Sequence, residues 1–184
     1  MALKPAPKAD SATDAELLTR IAAGDLGALG DLYQRHRVDL RTFLLRATSG
    51  HGDADDVLHN TFLTAARIAA RFDGRESCRP WLIGIAARLV QQRGQKLARV
   101  ARYLARIASA RSLARDPVPE LHARNDVRHA LAHLSAAKRV VILMAEVEGM
   151  TCAEIATALN IPIGTVWTRL HHARRELVAA LEGG

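Results

Sequence analysis

The chain has 184 residues, a formal net charge of +7, 49% hydrophobic residues and only 4% aromatic ones. That length holds one domain or two small ones, and no apolar run is long enough to cross a bilayer, which argues against membrane insertion. Its two cysteines, Cys78 and Cys152, stand far apart and outside any paired metal-ligand spacing, so the reading is two reduced small side chains and no metal site or cofactor. Alanine, leucine and arginine dominate while strand-favouring runs are scarce, and the predicted class is all-α.

Residues 1–12 read as a disordered tail, and Met1 to Asp10 lacks the apolar core of a signal peptide, so a cytoplasmic chain is expected. Thr13 and Glu16 have the spacing of a capping box, opening a short helix that Gly24 would end. Asp25 can cap a second helix carrying Leu29, Leu32, Tyr33, Leu40, Phe43 and Leu44 and reaching about Thr48. After a turn at Ser49 to Gly52, a third helix begins at Asp53, Asp55 and Asp56, charges that suit a helix N-terminus, and runs to about Phe72. Asp73 to Ser77 reads as a loop. Pro80 suits the first turn of a fourth helix, Trp81 to about Ile107.

That fourth helix holds a basic stripe. Arg88, Arg93, Lys96, Arg99, Arg102, Arg106, Arg111 and Arg115 lie in a stretch with no acidic residue, leaving 18 basic against 19 acidic residues elsewhere. On a helix, Arg88, Arg99, Arg102 and Arg106 fall within about 40° of one another, with Leu97, Val100, Leu104 and Ile107 on the other side. A basic stripe backed by an apolar face suits a phosphate backbone, where released counterions drive binding. Ala108 to Glu120, with Pro117 and Pro119, reads as a flexible linker. Beyond it, Leu121 to Leu134 makes one helix and Ser135 caps another through Val147.

Glu148 to Leu177 lays out a helix-turn-helix. Thr151 and Glu154 form a second capping box, Ile155 and Leu159 share one face, Ala156 admits a close neighbour, Asn160 tolerates a left-handed backbone and Pro162 prevents continuation. In the following helix Val166, Leu170, Ala173 and Leu177 form a buried stripe. Opposite it stand Thr168, His171, His172 and Arg175, flanked by Thr165, Trp167, Arg169 and Arg174. These are side chains able to reach base edges and phosphates in a major groove. The two imidazoles would make binding modestly pH dependent.

Two helical modules with a C-terminal helix-turn-helix resemble the extracytoplasmic-function (ECF) sigma factors of bacterial RNA polymerase. The resemblance rests on Leu134 to Leu143, Glu146 to Met150, Glu154-Ile-Ala, Ile161 to Val166 and Arg169 to Arg174 in the C-terminal half. In the N-terminal half it rests on Gly24-Asp25, Leu32-Tyr33, Asp53 to Leu63, Phe72 and Trp81 to Ala86. It implies a polymerase-docking, minus-10 module over 13–107, a linker over 108–120 and a minus-35 module over 121–184. Asp53, Asp55, Asp56, His59, Asn60 and Phe62 would contact the clamp of the largest subunit, with the flap as a further polymerase contact. Phe72, Arg75, Ser77, Arg79, Trp81, Arg88, Gln92, Arg93 and Lys96 would serve the minus-10 element, and the helix-turn-helix face the minus-35 element. Core polymerase, promoter DNA and an anti-sigma factor are the implied partners, and the chain itself would catalyse nothing. The sequence departs from the family pattern at His59, Asn60, Ala66, Arg88, Gln92 and Trp167.

Other readings stay open. A sigma-like adaptor that no longer directs polymerase would fit the departures, and an autonomous regulator would use the helix-turn-helix alone. His122, His129 and His133 could approach one another, but no carboxylate or thiolate completes a site among them.

Overall fold

The computed structural model describes residues 12–48, 51–74, 77–108 and 123–182. Among them are eight α-helices, one 3₁₀ turn and no strand. The expected tail falls outside the described residues except for Ala12, and so does the expected linker except for Ala108.

Both capping boxes form. Thr13 precedes α1 (Asp14–Ala22) and its hydroxyl accepts from the Glu16 amide, while Glu16 accepts in return from the Thr13 amide. Gly24, at φ 93°, turns the chain, and the Asp25 carboxylate accepts from the Gly27 and Ala28 amides at the start of α2 (Leu26–Ala47). The third helix, α3 (His51–Ile68), begins two residues before the acidic cluster and stops earlier than its periodicity suggests. It tightens into a 3₁₀ turn at Ala69–Arg71, after which Phe72 is extended and packs edge-to-face on Trp81 at 5.4 Å. The long α4 (Arg79–Ala108) follows. Leu17, Leu18, Leu32, Phe43, Leu44, Leu82 and Ile85 are fully buried in this first bundle.

The second bundle comprises α5 (Ala123–His133), α6 (Ala136–Glu146), α7 (Cys152–Leu159) and α8 (Ile163–Glu182). Ser135 caps α6, and Val140, Met144, Ile155, Val166 and Ala173 fill its core.

The two bundles touch, with α4 running along α6 and α7, and α2 meeting α6. The seam is close because its residues are small: a Cβ added at Gly84 would lie 2.9 Å from that of Ala158, and one at Gly94 2.7 Å from that of Ala136. Polar groups tie the same seam. Arg139 donates to the Ala47 carbonyl, and Arg79 pairs with Glu148. The apolar side of α4 is not buried along its whole length. Leu97 and Val100 are more than half exposed. Among the described residues, no helix is long and apolar enough to cross a membrane.

Candidate nucleic-acid and polymerase interface

The helix-turn-helix is locked by its own backbone. The Thr151 hydroxyl accepts from the Glu154 amide while Glu154 accepts from the Thr151 amide at 2.7 Å. Asn160 takes the left-handed conformation, φ 54° and ψ 53°, that ends α7, and the Ile161 amide closes the turn on the Ala156 carbonyl at 3.0 Å. This geometry fixes the rotation of α8. Val166, Leu170 and Ala173 are buried, with Leu177 half-buried at the end of the stripe. Trp167, Thr168, His171, His172, Arg174 and Arg175 are exposed, while Thr165 and Arg169 are half-buried. Two of these groups are engaged internally: the Thr168 hydroxyl donates to the Gly164 carbonyl, and Arg174 pairs with Glu146 of α6 at 2.7 Å. The rings of His171 and His172 meet edge-to-face at 5.6 Å.

The expected minus-10 residues gather around the start and middle of α4, next to the seam. Phe72 and Trp81 form one half-buried aromatic pair. The Ser77 hydroxyl accepts from the Arg79 amide, and Arg79 reaches both Glu148 and, at 3.8 Å, Asp39. Arg88 donates to the Gly84 carbonyl, and Trp81 and Arg88 line a cleft of about 220 Å³ whose far wall is Met150, Glu154 and Ala158 of the second bundle. Gln92 and Lys96 are exposed further along. Arg75 lies outside the described residues.

The acidic cluster is folded into ion pairs. Asp53 and Asp56 both face Arg93 of α4, and Asp55 holds Arg41 of α2 at 2.7 Å. Arg93, expected on the DNA side, therefore sits against carboxylates expected on the polymerase side. His59 and Asn60 return to the Asp55 and Asp56 carbonyls of their own helix. Phe62 is 4% exposed and packs on Tyr33 at 4.9 Å, so its place is in the core beneath the surface formed by its neighbours. A groove lined by Tyr33, Val38, Arg41, Asp55 and Leu58 runs alongside.

Comparisons with known proteins agree on both bundles. The family models for Sigma-70 region 2 and Sigma-70 region 4 match residues 32–100 and 124–177 respectively. The ECF RNA polymerase sigma factor SigL of Mycobacterium tuberculosis is 31% identical over 164 residues, 88% of this chain and 93% of that protein. The chain belongs to the ECF RNA polymerase sigma factors. Another relative of this sigma factor, the RNA polymerase sigma factor NccH of Alcaligenes xylosoxydans xylosoxydans, is also 31% identical, over 182 residues covering 94% of this chain and 97% of that one. Among solved structures, CnrH in complex with the cytosolic domain of CnrY matches with a TM-score of 0.60 and 28% identity, covering 92% of this chain and 97% of CnrH. RpoE from Bartonella quintana, solved with the anti-sigma factor NepR, shares the fold at a TM-score of 0.56 and 23% identity, over 83% of this chain and 97% of that one. Membership implies a role in promoter-specific initiation with RNA polymerase.

This sigma factor also contains a buried polar cluster that sequence patterns did not flag. Asp14 opens α1, His36 lies in mid-α2 and Cys78 immediately precedes α4. All three are buried. The Nε2 of His36 lies 3.1 Å from each Asp14 oxygen and 3.6 Å from the Cys78 Sγ. Asp14 accepts from the Cys78 amide and from Arg35, each at 2.9 Å. Burial alone would raise the Asp14 carboxyl; the Cys78 amide, Arg35 and His36 outweigh it and bring it down to about 2. The Cys78 thiol moves the other way, pushed up by burial and by the Asp14 charge. The signal was invisible because the three residues are separated by 22 and 42 positions; only the packing of α1 on α2 and of the α4 entry on both unites them.

Proposed function

We propose that this sigma factor docks on core RNA polymerase through the exposed acidic face of α3, reads the minus-35 element with α8 and captures the minus-10 element with α4 and the loop before it, opening the DNA there. The observation that carries the reading is the rotation of α8. Its buried stripe is held by the Asn160 turn, so Trp167, His171, His172 and Arg175 form one exposed face of the recognition helix. Lys96, Arg99 and Arg102 extend a cationic surface along α4, which suits backbone contacts. Strand opening draws on the Phe72 and Trp81 pair, since aromatic surfaces favour unstacked bases. The chain contributes binding energy only, and polymerase supplies the chemistry.

In the arrangement described, α7 covers the Gly84 face of α4 and closes the cleft beside Arg88. Reading both elements at once therefore requires the bundles to separate, with segment 108–120 as the connection between modules 13–107 and 121–184. An anti-sigma factor is the proposed inhibitory partner, in line with the complexes in which the solved relatives were captured, and the cytoplasm is the proposed compartment.

The test is retention of core polymerase by the purified full chain, followed by run-off transcription from a genomic promoter library. Promoter-specific transcripts support the reading. Polymerase binding without transcripts replaces it with an adaptor role, and DNA binding without polymerase binding replaces it with autonomous regulation.

A further inference from the structure

Asp14, His36 and Cys78 supply three ligand chemistries, a carboxylate oxygen, an imidazole nitrogen and a sulfur, converging from three separate segments. Their ligand atoms all lie within 4.8 Å of one another, and the residues are 6%, 7% and 0% exposed. The spacing matches a known coordination geometry. For a tetrahedral zinc ion with Zn–S about 2.3 Å and Zn–N about 2.05 Å, nitrogen and sulfur sit about 3.6 Å apart, and nitrogen and a carboxylate oxygen about 3.3 Å apart. The observed separations are 3.6 Å for Sγ to Nε2 and 3.1 Å for Nε2 to either oxygen. The same separations are those of hydrogen bonds in the metal-free cluster, so the three groups already stand near coordination spacing.

We propose that Asp14, His36 and Cys78 form a binding site for a borderline divalent transition-metal ion of the zinc class, held by one Asp14 oxygen, His36 Nε2 and the Cys78 thiolate, with a fourth position for solvent. This ligand set selects zinc or cobalt over magnesium or calcium, which favour oxygen alone. On binding, the thiol proton leaves to solvent and the His36 proton resides on Nδ1, so that the two anionic ligands neutralise the ion's charge. Arg35 is not an obstacle. Its guanidinium also donates to the Ala12 carbonyl at 2.8 Å, an acceptor that remains when the metal takes an Asp14 oxygen, and its side chain is one-third exposed to water. The Cys78 amide can stay on the other carboxylate oxygen, as the outer support a metal-bound carboxylate requires. The ion would join α1, α2 and the residue immediately before α4, fixing the chain where it enters that helix. It would thus couple metal availability to the proposed minus-10 face, a consequence that rests on the promoter reading although the site itself does not.

The full chain, treated with chelator and then dialysed free of it, is titrated with Co²⁺ and followed by absorption. The expected result is one equivalent bound, with a near-ultraviolet thiolate-to-cobalt charge-transfer band and tetrahedral ligand-field bands, displaced by Zn²⁺. Cys152→Ser retains the whole spectrum, which assigns the thiolate to Cys78 without disturbing the cluster. Cys78→Ser, which keeps the backbone N–H that donates to Asp14, loses the charge-transfer band and binds at least about 100-fold more weakly, and His36→Gln weakens binding comparably. Absence of a charge-transfer band in the unsubstituted chain, or its loss in Cys152→Ser, overturns the proposal.

Discussion

Arg139, in α6, donates 3.0 Å across the seam to the carbonyl of Ala47, the last residue of α2. The same guanidinium donates to the Leu131, Ala132 and Leu134 carbonyls, so one buried side chain serves the C-terminal ends of two helices in different bundles. A helix end leaves carbonyls without intrahelical donors, and where such an end is buried the partner must come from elsewhere.

Arg139→Ala is therefore expected to destabilise the chain by about 3 to 5 kcal/mol, since it strands several buried acceptors. Arg139→Lys recovers only part of this, because a single ammonium cannot span the same fan of carbonyls. Urea unfolding followed by helical circular dichroism measures both. A loss below about 1 kcal/mol for the alanine variant would show that water satisfies those carbonyls.

Gly84→Val should part the bundles without unfolding either. Its Cβ alone would stand 2.9 Å from the Ala158 Cβ and 3.1 Å from the Ala158 carbonyl oxygen, and backbone cannot yield as a side-chain tip does. Small-angle scattering should report a larger radius of gyration at unchanged helix content. An unchanged radius would mean that the seam absorbs the added methyls by sliding.

Asp55→Ala with Asp56→Ala should lower affinity for core polymerase by at least about tenfold, equivalent to about 1.4 kcal/mol. The stability cost should stay within about 1 kcal/mol, because the Arg41 to Asp55 pair is about half exposed and such pairs contribute little. Parallel polymerase-binding and thermal-unfolding measurements separate the two effects. Polymerase affinity equal to that of the parent chain would remove α3 as the docking face.

Arg175→Ala should weaken minus-35 binding by about 1 to 3 kcal/mol if Arg175 reads a base, or flatten the salt dependence by about one unit of slope if it contacts a phosphate. Titrations of minus-35 duplex at several salt concentrations, on matched and mismatched sequences, distinguish these outcomes. If neither quantity moves, Arg175 lies off the duplex.

Acid should expose the role of Asp14. Its folded pKa of about 2 lies below the ordinary 3.8, so it contributes stability that is fully present above about pH 4 and is lost as pH falls toward 2. A depression of that size corresponds to about 2 kcal/mol. Urea midpoints between pH 2 and 5, in the presence of chelator, should fall more steeply for the parent chain than for Asp14→Asn. Parallel profiles would place the acid sensitivity in other carboxylates.

The parts of this fold that sequence makes legible are those set by local chemistry. Thr13 with Glu16 and Thr151 with Glu154 cap as their spacing suggests, because a capping box is decided within four residues. The left-handed Asn160 and the stripe of Val166, Leu170 and Ala173 are likewise short-range facts, and from them the outward face of α8 could be written down. The ion pairs were hidden for the opposite reason. Nothing in the stretch around Arg93 indicates that it will meet Asp53, 40 residues earlier, since that depends on how α3 lies on α4. Phe62 was placed at the polymerase face by the family resemblance, which matches positions without telling which of them are covered; Tyr33 packs on it.

The pair between Arg79 and Glu148 bears on how affinity for DNA should be understood. The Glu148 side chain is a buried anion carried by the same chain, seated on a guanidinium at the start of the helix proposed to capture the minus-10 element. It is a built-in rival to a phosphate oxygen. Any nucleic acid arriving at Arg79 must first find the molecule with that carboxylate displaced, so the measured dissociation constant is the intrinsic one divided by the fraction of molecules in which the rival has let go. A partner that draws Glu148 away, without touching DNA at all, would strengthen promoter binding by raising that fraction. One that presses the second bundle onto the first would silence the protein while leaving every side chain proposed to read bases intact.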